Sequence, residues 1–291
     1  EKYAETAGNL ADIGIEVGSV KLNLKKMLAN KDKVVEELTK GIEFLFKKNK
    51  VDWVSGTATV KSANEVFVMP SDGEAVTLKT ERVLVATGSI STPLPGVDID
   101  EKRIVTSTGA LSLAKVPKHL VVVGGGYIGL EMGSVWARLG AQVTVVEFLD
   151  RIVPTMDREM GKRFMAVLRK QGMTFKLSTK VTGAKAIASG VKLSVEAVKS
   201  GESETIDADV VLVSIGRRPH TDGLGLEALG VATDQRGFIQ VDADFETNVP
   251  GVFAIGDSVP GPMLAHKAEE DGVAAVEIMA GQSGHVDYGL V

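Results

Sequence analysis

The chain has 291 residues, 44% apolar and 24% charged, with 33 Lys and Arg against 38 Asp and Glu, a net charge of −5. Length and composition are those of one large or two ordinary globular domains, which excludes disorder, collagen and coiled coil as the main architecture. No basic stripe marks a nucleic-acid partner and no apolar run reads as a membrane span; with no cysteine, a disulfide framework, a thiolate zinc site and a cysteine nucleophile are impossible within these residues.

The opening EKYAETAGNLADIGIE is polar and helix-like, with no secretory n- and h-region and no initiator Met. Over 20–49 the apolar positions Leu24, Met27, Leu28, Val34, Val35, Leu38, Ile42, Leu45 and Phe46 recur at threes and fours, which predicts a long amphipathic helix. VDWVSGTATV, EVFVMP and AVTLKTERVLVATG then switch to short β-rich runs split by turn residues, predicting an antiparallel meander. Pro93, Pro95 and Gly96 punctuate the connection that follows.

From Pro117 the pattern becomes β-α-β-α-β: HLVVVGGG, the helix YIGLEMGSVWARLG, QVTVVE, the helix DREMGKRFMAVLRKQG, and MTFKL. That order predicts parallel strands with right-handed crossovers. Hairpin strands are expected at 181–187 and 191–198, then one strongly apolar strand in DADVVLVSIG. A loop-rich stretch leads to GVFAIGD, a buried strand, and a last helix over 263–280. Trp53 and Trp136 are expected in packing, and Arg217 with Arg218 as a solvated pair. His119, His220 and His285 lack metal-ligand spacing.

One motif carries chemistry in its required context. Gly124, Gly125, Gly126, Tyr127, Ile128 and Gly129 form G-x-G-x-x-G after a strand and at the start of a helix. The first glycine of the pattern permits the tight turn, the second lets backbone approach a pyrophosphate, and the third lets helix pack on strand. Unpaired N–H groups and the helix dipole favour the phosphates there. About 20 residues on, Glu147 ends the next strand, where a carboxylate accepts from both adenosine ribose hydroxyls and repels a 2′-phosphate, favouring NAD over NADP. Glu131, one turn into the helix, is divided between a surface and a functional role. Two weaker runs, VLVATGS and TNVPGVFAIGDSV, are buried strands ending in turns; Asp257 closes the second, at a strand end where α/β sheets bind ligands or where a carboxylate caps a turn.

The runs LNLKKM, IEFLFKKNKV, VLVATGS, STGALSL, VVVGGGYIGLEMGSVWARLGAQVTVVEF, KQGMTFKLSTKVTGA, VLVSIGRRPHT, VFAIGDSV, GPMLAHKAEEDG and HVDY, in that order, resemble the flavin-dependent pyridine nucleotide–disulfide oxidoreductases, in particular their dihydrolipoamide dehydrogenase branch. The resemblance implies an α/β protein of two Rossmann-like nucleotide-binding domains, each with a β-meander, in which an FAD domain (1–116 and 247–291, incomplete here) is interrupted by an NAD domain (117–246). It implies FAD contacts at Gly56, Thr87, Gly88, Ser89, Asp257 and the segment Met263, Leu264, Ala265, His266. It implies NAD contacts at Gly124 through Gly129, Glu131, Glu147, Val181 and Gly216, with Tyr127 as an aromatic lid over the flavin. Read without the resemblance, Met263 and Leu264 are core residues of a helix, and His266 equally suits a backbone partner.

The resemblance also implies a first glycine fingerprint for FAD, a C-x4-C redox pair and an interface domain, none of which this sequence contains. The expectation is the central portion of a longer enzyme, a dihydrolipoyl dehydrogenase passing electrons from protein-bound dihydrolipoamide through FAD to NAD+. By itself the portion is expected to be inactive, with no catalytic acid, base or nucleophile assigned. The implied partners are a lipoyl-bearing protein of a 2-oxo acid dehydrogenase or glycine cleavage complex and a second copy in a homodimer. Bacterial cytoplasm or mitochondrial matrix is the implied compartment. A disulfide-independent NADH oxidase or diaphorase, and a non-catalytic NAD-binding module, are the alternatives.

Overall fold

The computed structural model describes residues 14–15 and 18–289, so the helix expected in the first residues lies outside the described residues. Two compact units emerge: Glu1–Gly41 with Ser91–Gly216, and Ile42–Ile90 with Arg217–Val291. The segment expected as an insertion, 117–246, falls in the first unit up to Gly216 and in the second beyond it. The reason lies in packing, because Leu226, Val231 and Ile239 share a buried cluster with Val60, Val83 and Val252 of the second unit.

Helix α1, Leu24–Lys48, forms where the threes-and-fours pattern predicts it. Asn23 Oδ1 accepts from the Lys26 amide at 3.0 Å, Lys47 and Lys48 sit in the last turn where the dipole favours cations, and Glu36 and Lys40 pair one turn apart. Its apolar stripe is nevertheless exposed: Val34, Val35, Leu38, Ile42 and Leu45 stand open to solvent and none of its described residues is buried. Trp53 departs from expectation in the same way, 60% exposed with the Phe46 ring edge-on to it.

The first unit is built on a parallel sheet in the order β6-β13-β7-β8-β9, where β6 is Ile104–Val105, β7 His119–Val123, β8 Gln142–Val146, β9 Thr174–Lys176 and β13 Val210–Val213. Helix α2, Ser107–Ala110, is a single turn capped by Thr106. Helices α3, Tyr127–Arg138, and α4, Arg158–Lys170, make the crossovers between β7, β8 and β9. Leu130, Gly133 and Trp136 of α3 face inward, with the Trp136 indole donating to the Ala110 carbonyl at 3.1 Å. Asp157 caps α4 through the amides of Glu159 and Met160. A separate antiparallel sheet, β10 (Thr179–Ile187), β11 (Gly190–Ala197) and β12 (Ser203–Ala208), packs Val191, Leu193 and Val195 against Val121, Val123, Val211 and Val213.

DADVVLVSIG is not one strand, as expected, but the end of β12 and all of β13. Asp209 makes the break: its carboxylate accepts from the His119 amide at 2.7 Å and its own amide donates to the His119 carbonyl at 3.0 Å. The chain is thereby passed from the antiparallel sheet to the parallel one.

In the second unit, β1 (Thr57–Ser62), β2 (Glu65–Met69) and β3 (Val76–Lys79) form the expected antiparallel meander. Strand β4, Val83–Val85, was expected to continue it but pairs parallel with β15, Val252–Ala254, in the register Val83 to Val252 and Val85 to Ala254. All the β15 residues are buried, so burial on both faces, rather than alternation, selects its partner. Short strands β5, Ser89–Ser91, and β14, Arg217–Pro219, pair with each other. Helix α5, Ala265–Met279, buries Lys267, Asp271, Ala274 and Ala275. No described helix is long and apolar enough to cross a membrane.

Candidate nucleotide-binding sites

The first site is made by backbone. Gly124 takes φ +107°, and a Cβ on it would run into the Ser214 carbonyl; its amide donates to Val146 O at 2.9 Å, tying the turn to the end of β8. A Cβ on Gly129 would lie 2.5 Å from both Gly124 O and Ser214 Oγ, so α3 can approach β7 only through a glycine. Gly126 is the open position, with nothing within 4 Å of its would-be Cβ. As N-cap of α3 it supplies no side-chain acceptor, so among the described residues no side-chain cap satisfies the first amides of the helix.

Glu147 closes the turn from the neighbouring strand. Its Oε2 accepts from the Gly125 amide at 2.6 Å and its Oε1 from the Leu149 amide at 2.8 Å, and the residue is 9% exposed. Each carboxylate oxygen retains a lone pair for a further donor. Gly124, Glu147, Phe148, Val181 and Ile215 line one crevice of about 420 Å³. Gly216, at φ +134°, follows directly and its carbonyl accepts from Thr92. Glu131 and Tyr127 stand one turn apart on the exposed face of α3, and neither lines that crevice.

The second unit holds a different construction, made by side chains. Ser89 Oγ donates to Asp257 Oδ2 at 2.6 Å and accepts from Arg217 Nε at 2.7 Å, while Arg217 Nη2 donates to the Ser89 carbonyl. Arg217 is therefore a clamp rather than half of a solvated pair; Arg218 forms its own pair with Asp222, whose carboxyl it holds below the ordinary value by hydrogen bond and charge. Gly88, at φ +69°, and Thr87 are fixed by bonds exchanged with His220. Asp257 and Gly88 line a crevice of about 250 Å³ with Ala86, Ala268 and Glu269.

Two of the expected residues stand apart from that cluster. A Cβ on Gly56 would meet Met69 O at 2.5 Å and Pro70 Cα at 2.8 Å, which accounts for this glycine by packing against the end of β2. Met263 is half-buried while Leu264, Ala265 and His266 are exposed at the start of α5; none of the four lines the Asp257 crevice.

The profile of the pyridine nucleotide-disulphide oxidoreductase family matches residues 3–272. The chain belongs to that family. Among curated relatives, the mitochondrial dihydrolipoyl dehydrogenase of Pisum sativum is 56% identical over 99% of this chain and 58% of its own length. Leghemoglobin reductase of Vigna unguiculata is 56% identical over 99% of this chain and 55% of its own length. Dihydrolipoyl dehydrogenase 3 of Pseudomonas putida is 53% identical over 100% of this chain and 62% of its own. This chain thus spans little more than half the length of the curated relatives it matches. A solved structure, the HOCl-induced flavoprotein disulfide reductase RclA of Escherichia coli, superposes with a TM-score of 0.81 at 24% identity over 97% of this chain and 62% of that one, a likeness of fold.

The residues that sequence reasoning passed over in this family member are Arg217, Lys267, Asp271 and Tyr288. Lys267 and Asp271 are 3% and 0% exposed and paired to each other. Their i, i+4 spacing on a helix is the one signal that sequence offers for the pair.

Proposed function

We propose that the glycine turn and Glu147 hold NAD, and that the Ser89–Asp257 cluster holds the hydroxylated chain of FAD, in a dihydrolipoyl dehydrogenase. The observation that carries this reading is the meeting of the Gly124 turn and the Glu147 carboxylate on one crevice, next to a helix start that Gly126 leaves without a side-chain cap. The cradle fits a dinucleotide: Gly126 leaves room for a diphosphate against the amides of Tyr127 and Ile128, and Glu147 retains acceptor capacity for ribose hydroxyls. The same carboxylate repels a 2′-phosphate, so NAD is preferred to NADP.

For FAD the fit is partial but specific. Asp257 Oδ1 accepts no hydrogen bond from the described residues and the crevice beside it is walled by Ala86 and Gly88, suiting a polyol chain. When bound, FAD supplies a two-electron relay and NAD+ a hydride acceptor. The chain's own work is to bind and orient. Glu131 and Tyr127, both exposed at the start of α3, would flank the nicotinamide end on the family's pattern, with Tyr127 as the gate. Val181, which lines the crevice, and Gly216, next to its Ile215, would contribute wall and backbone, and a flavin contact from Met263 through His266 rests on the family resemblance alone.

Relatives named dihydrolipoyl dehydrogenase support protein-bound dihydrolipoamide as electron donor, and with it a lipoyl-bearing protein of a 2-oxo acid dehydrogenase or glycine cleavage complex as partner and a homodimeric assembly. Their mitochondrial and bacterial origins support matrix or bacterial cytoplasm as the compartment. A second reading is favoured by the leghemoglobin reductase relative, which is as similar to this chain as the pea enzyme is: the core serves another electron acceptor. Turnover of the full-length flavoprotein with dihydrolipoamide and NAD+ separates the two. Turnover supports the first, and normal FAD content without turnover rejects it.

A further inference from the structure

Four polar atoms beneath Asp257 are spent on a single neighbouring residue and its support. Gly256 sits at φ +67° in a 3-10 turn, with a would-be Cβ 3.2 Å from the Ala268 Cβ. Its amide donates to Asp271 Oδ2 at 3.1 Å, and its carbonyl accepts from Lys267 Nζ at 3.3 Å. Lys267 and Asp271 are bonded to each other at 2.5 Å. Tyr288 closes the arrangement, its hydroxyl donating to Asp271 Oδ1 at 2.8 Å.

A buried ion pair is a poor device for stability alone, because desolvation offsets its attraction and apolar residues of like volume do as well or better. This pair brackets both peptide groups of the one residue that aims Asp257. We propose that Lys267 and Asp271, latched by Tyr288, are positioning residues that lock the left-handed Gly256 turn and so orient the Asp257 carboxylate toward the flavin's hydroxylated chain. The proposal rests on the reading of Asp257 as a flavin contact. Lys267 supplies the cation that holds the Gly256 carbonyl, Asp271 the anion that holds its amide, and the two neutralise each other where water does not reach. The turn is thus fixed from α5, while Ser89 and Arg217 fix the carboxylate from the strand side.

The test is a double-mutant cycle in the full-length flavoprotein, read as FAD dissociation constant and visible flavin spectrum. Lys267→Met with Asp271→Leu removes both charges together, so that neither is left buried alone. With unfolding temperature and far-ultraviolet spectrum preserved, this pair is expected to weaken FAD by roughly tenfold to a hundredfold, the range set by charge-assisted hydrogen bonds. Asp257→Ala is expected to weaken FAD as well, and the combined variant to lose no more than Asp257→Ala alone. Losses that multiply, or an unchanged FAD affinity in the paired variant, overturn the positioning role. An unchanged affinity in Asp257→Ala overturns the flavin reading itself, and the proposal with it. Should the paired variant fail to fold, Tyr288→Phe removes only the latch. A several-fold weakening that disappears in the Asp257→Ala background supports the proposal, and a persistent or absent effect rejects it.

Discussion

The two proposed nucleotide sites are built by opposite means. In the first unit one continuous strand–turn–helix–strand supplies the centre of the site, and most of its groups are main-chain: Gly124 for the turn, Gly126 for access and Gly129 for helix–strand contact, with the Glu147 carboxylate holding the Gly125 amide. In the second, three segments distant in sequence bring Ser89, Arg217 and Asp257 together, and a buried ion pair on a helix sets the turn. A backbone site is spelled out locally in the sequence, where each glycine has one steric reason. A side-chain site is written across the chain, and each of its residues reads alone as a solvated or capping group.

The sharpest way to break that contrast is Gly129→Val. Its branched side chain meets the Gly124 carbonyl and Ser214, so the variant is expected to lose NADH binding entirely and about 3 kcal/mol or more of stability, measured by NADH fluorescence and thermal unfolding. Next is Glu147→Ala, which removes the acceptor of the Gly125 and Leu149 amides along with the proposed ribose partner. A tenfold to roughly hundredfold weaker NADH dissociation constant, with NADPH affected far less, is expected from titration of both nucleotides. Unchanged NADH-to-NADPH selectivity would count against Glu147 at the ribose.

Ser89→Ala tests the side-chain site more gently. It uncouples Arg217 from Asp257, and FAD affinity is expected to fall about tenfold with NADH binding unaltered, as loss of a hydroxyl bridging two charged groups implies. The smallest effect concerns Tyr288. Burial of its hydroxyl, then the bond to Asp271 and that carboxylate's charge, push its phenol from 10.0 up to about 12. The neutral form is favoured in the folded state, so the contribution is fully present below pH 10.0 and is lost as pH rises through about 12. A late phenolate absorbance phase, absent in Tyr288→Phe, is the expected observation.

What the sequence made legible follows the same division. The Gly124–Gly129 turn and Glu147 stood out because the apolar period switches there from strand to helix across a glycine pattern with few alternatives. The long helix α1 was legible as a helix, but periodicity states which face is apolar and not what covers it; Val34, Leu38 and Ile42 are open among the described residues. The departure of Val83–Val85 from the meander was hidden because strand partners are set by tertiary burial, not by neighbouring turns. The β12–β13 break was hidden because Asp209 looks like any strand-flanking acid until His119 is beside it. Lys267 and Asp271 were illegible as a buried pair, since their spacing is that of an ordinary surface salt bridge.

The central claim is that the amides opening α3 receive a dinucleotide's diphosphate. Amide-resolved NMR of the protein titrated with NADH measures this directly. Saturable shifts concentrated at Gly126, Tyr127 and Ile128, with the Gly125 amide retained by Glu147, are the predicted result. Saturating NADH that leaves those amides unmoved would contradict it.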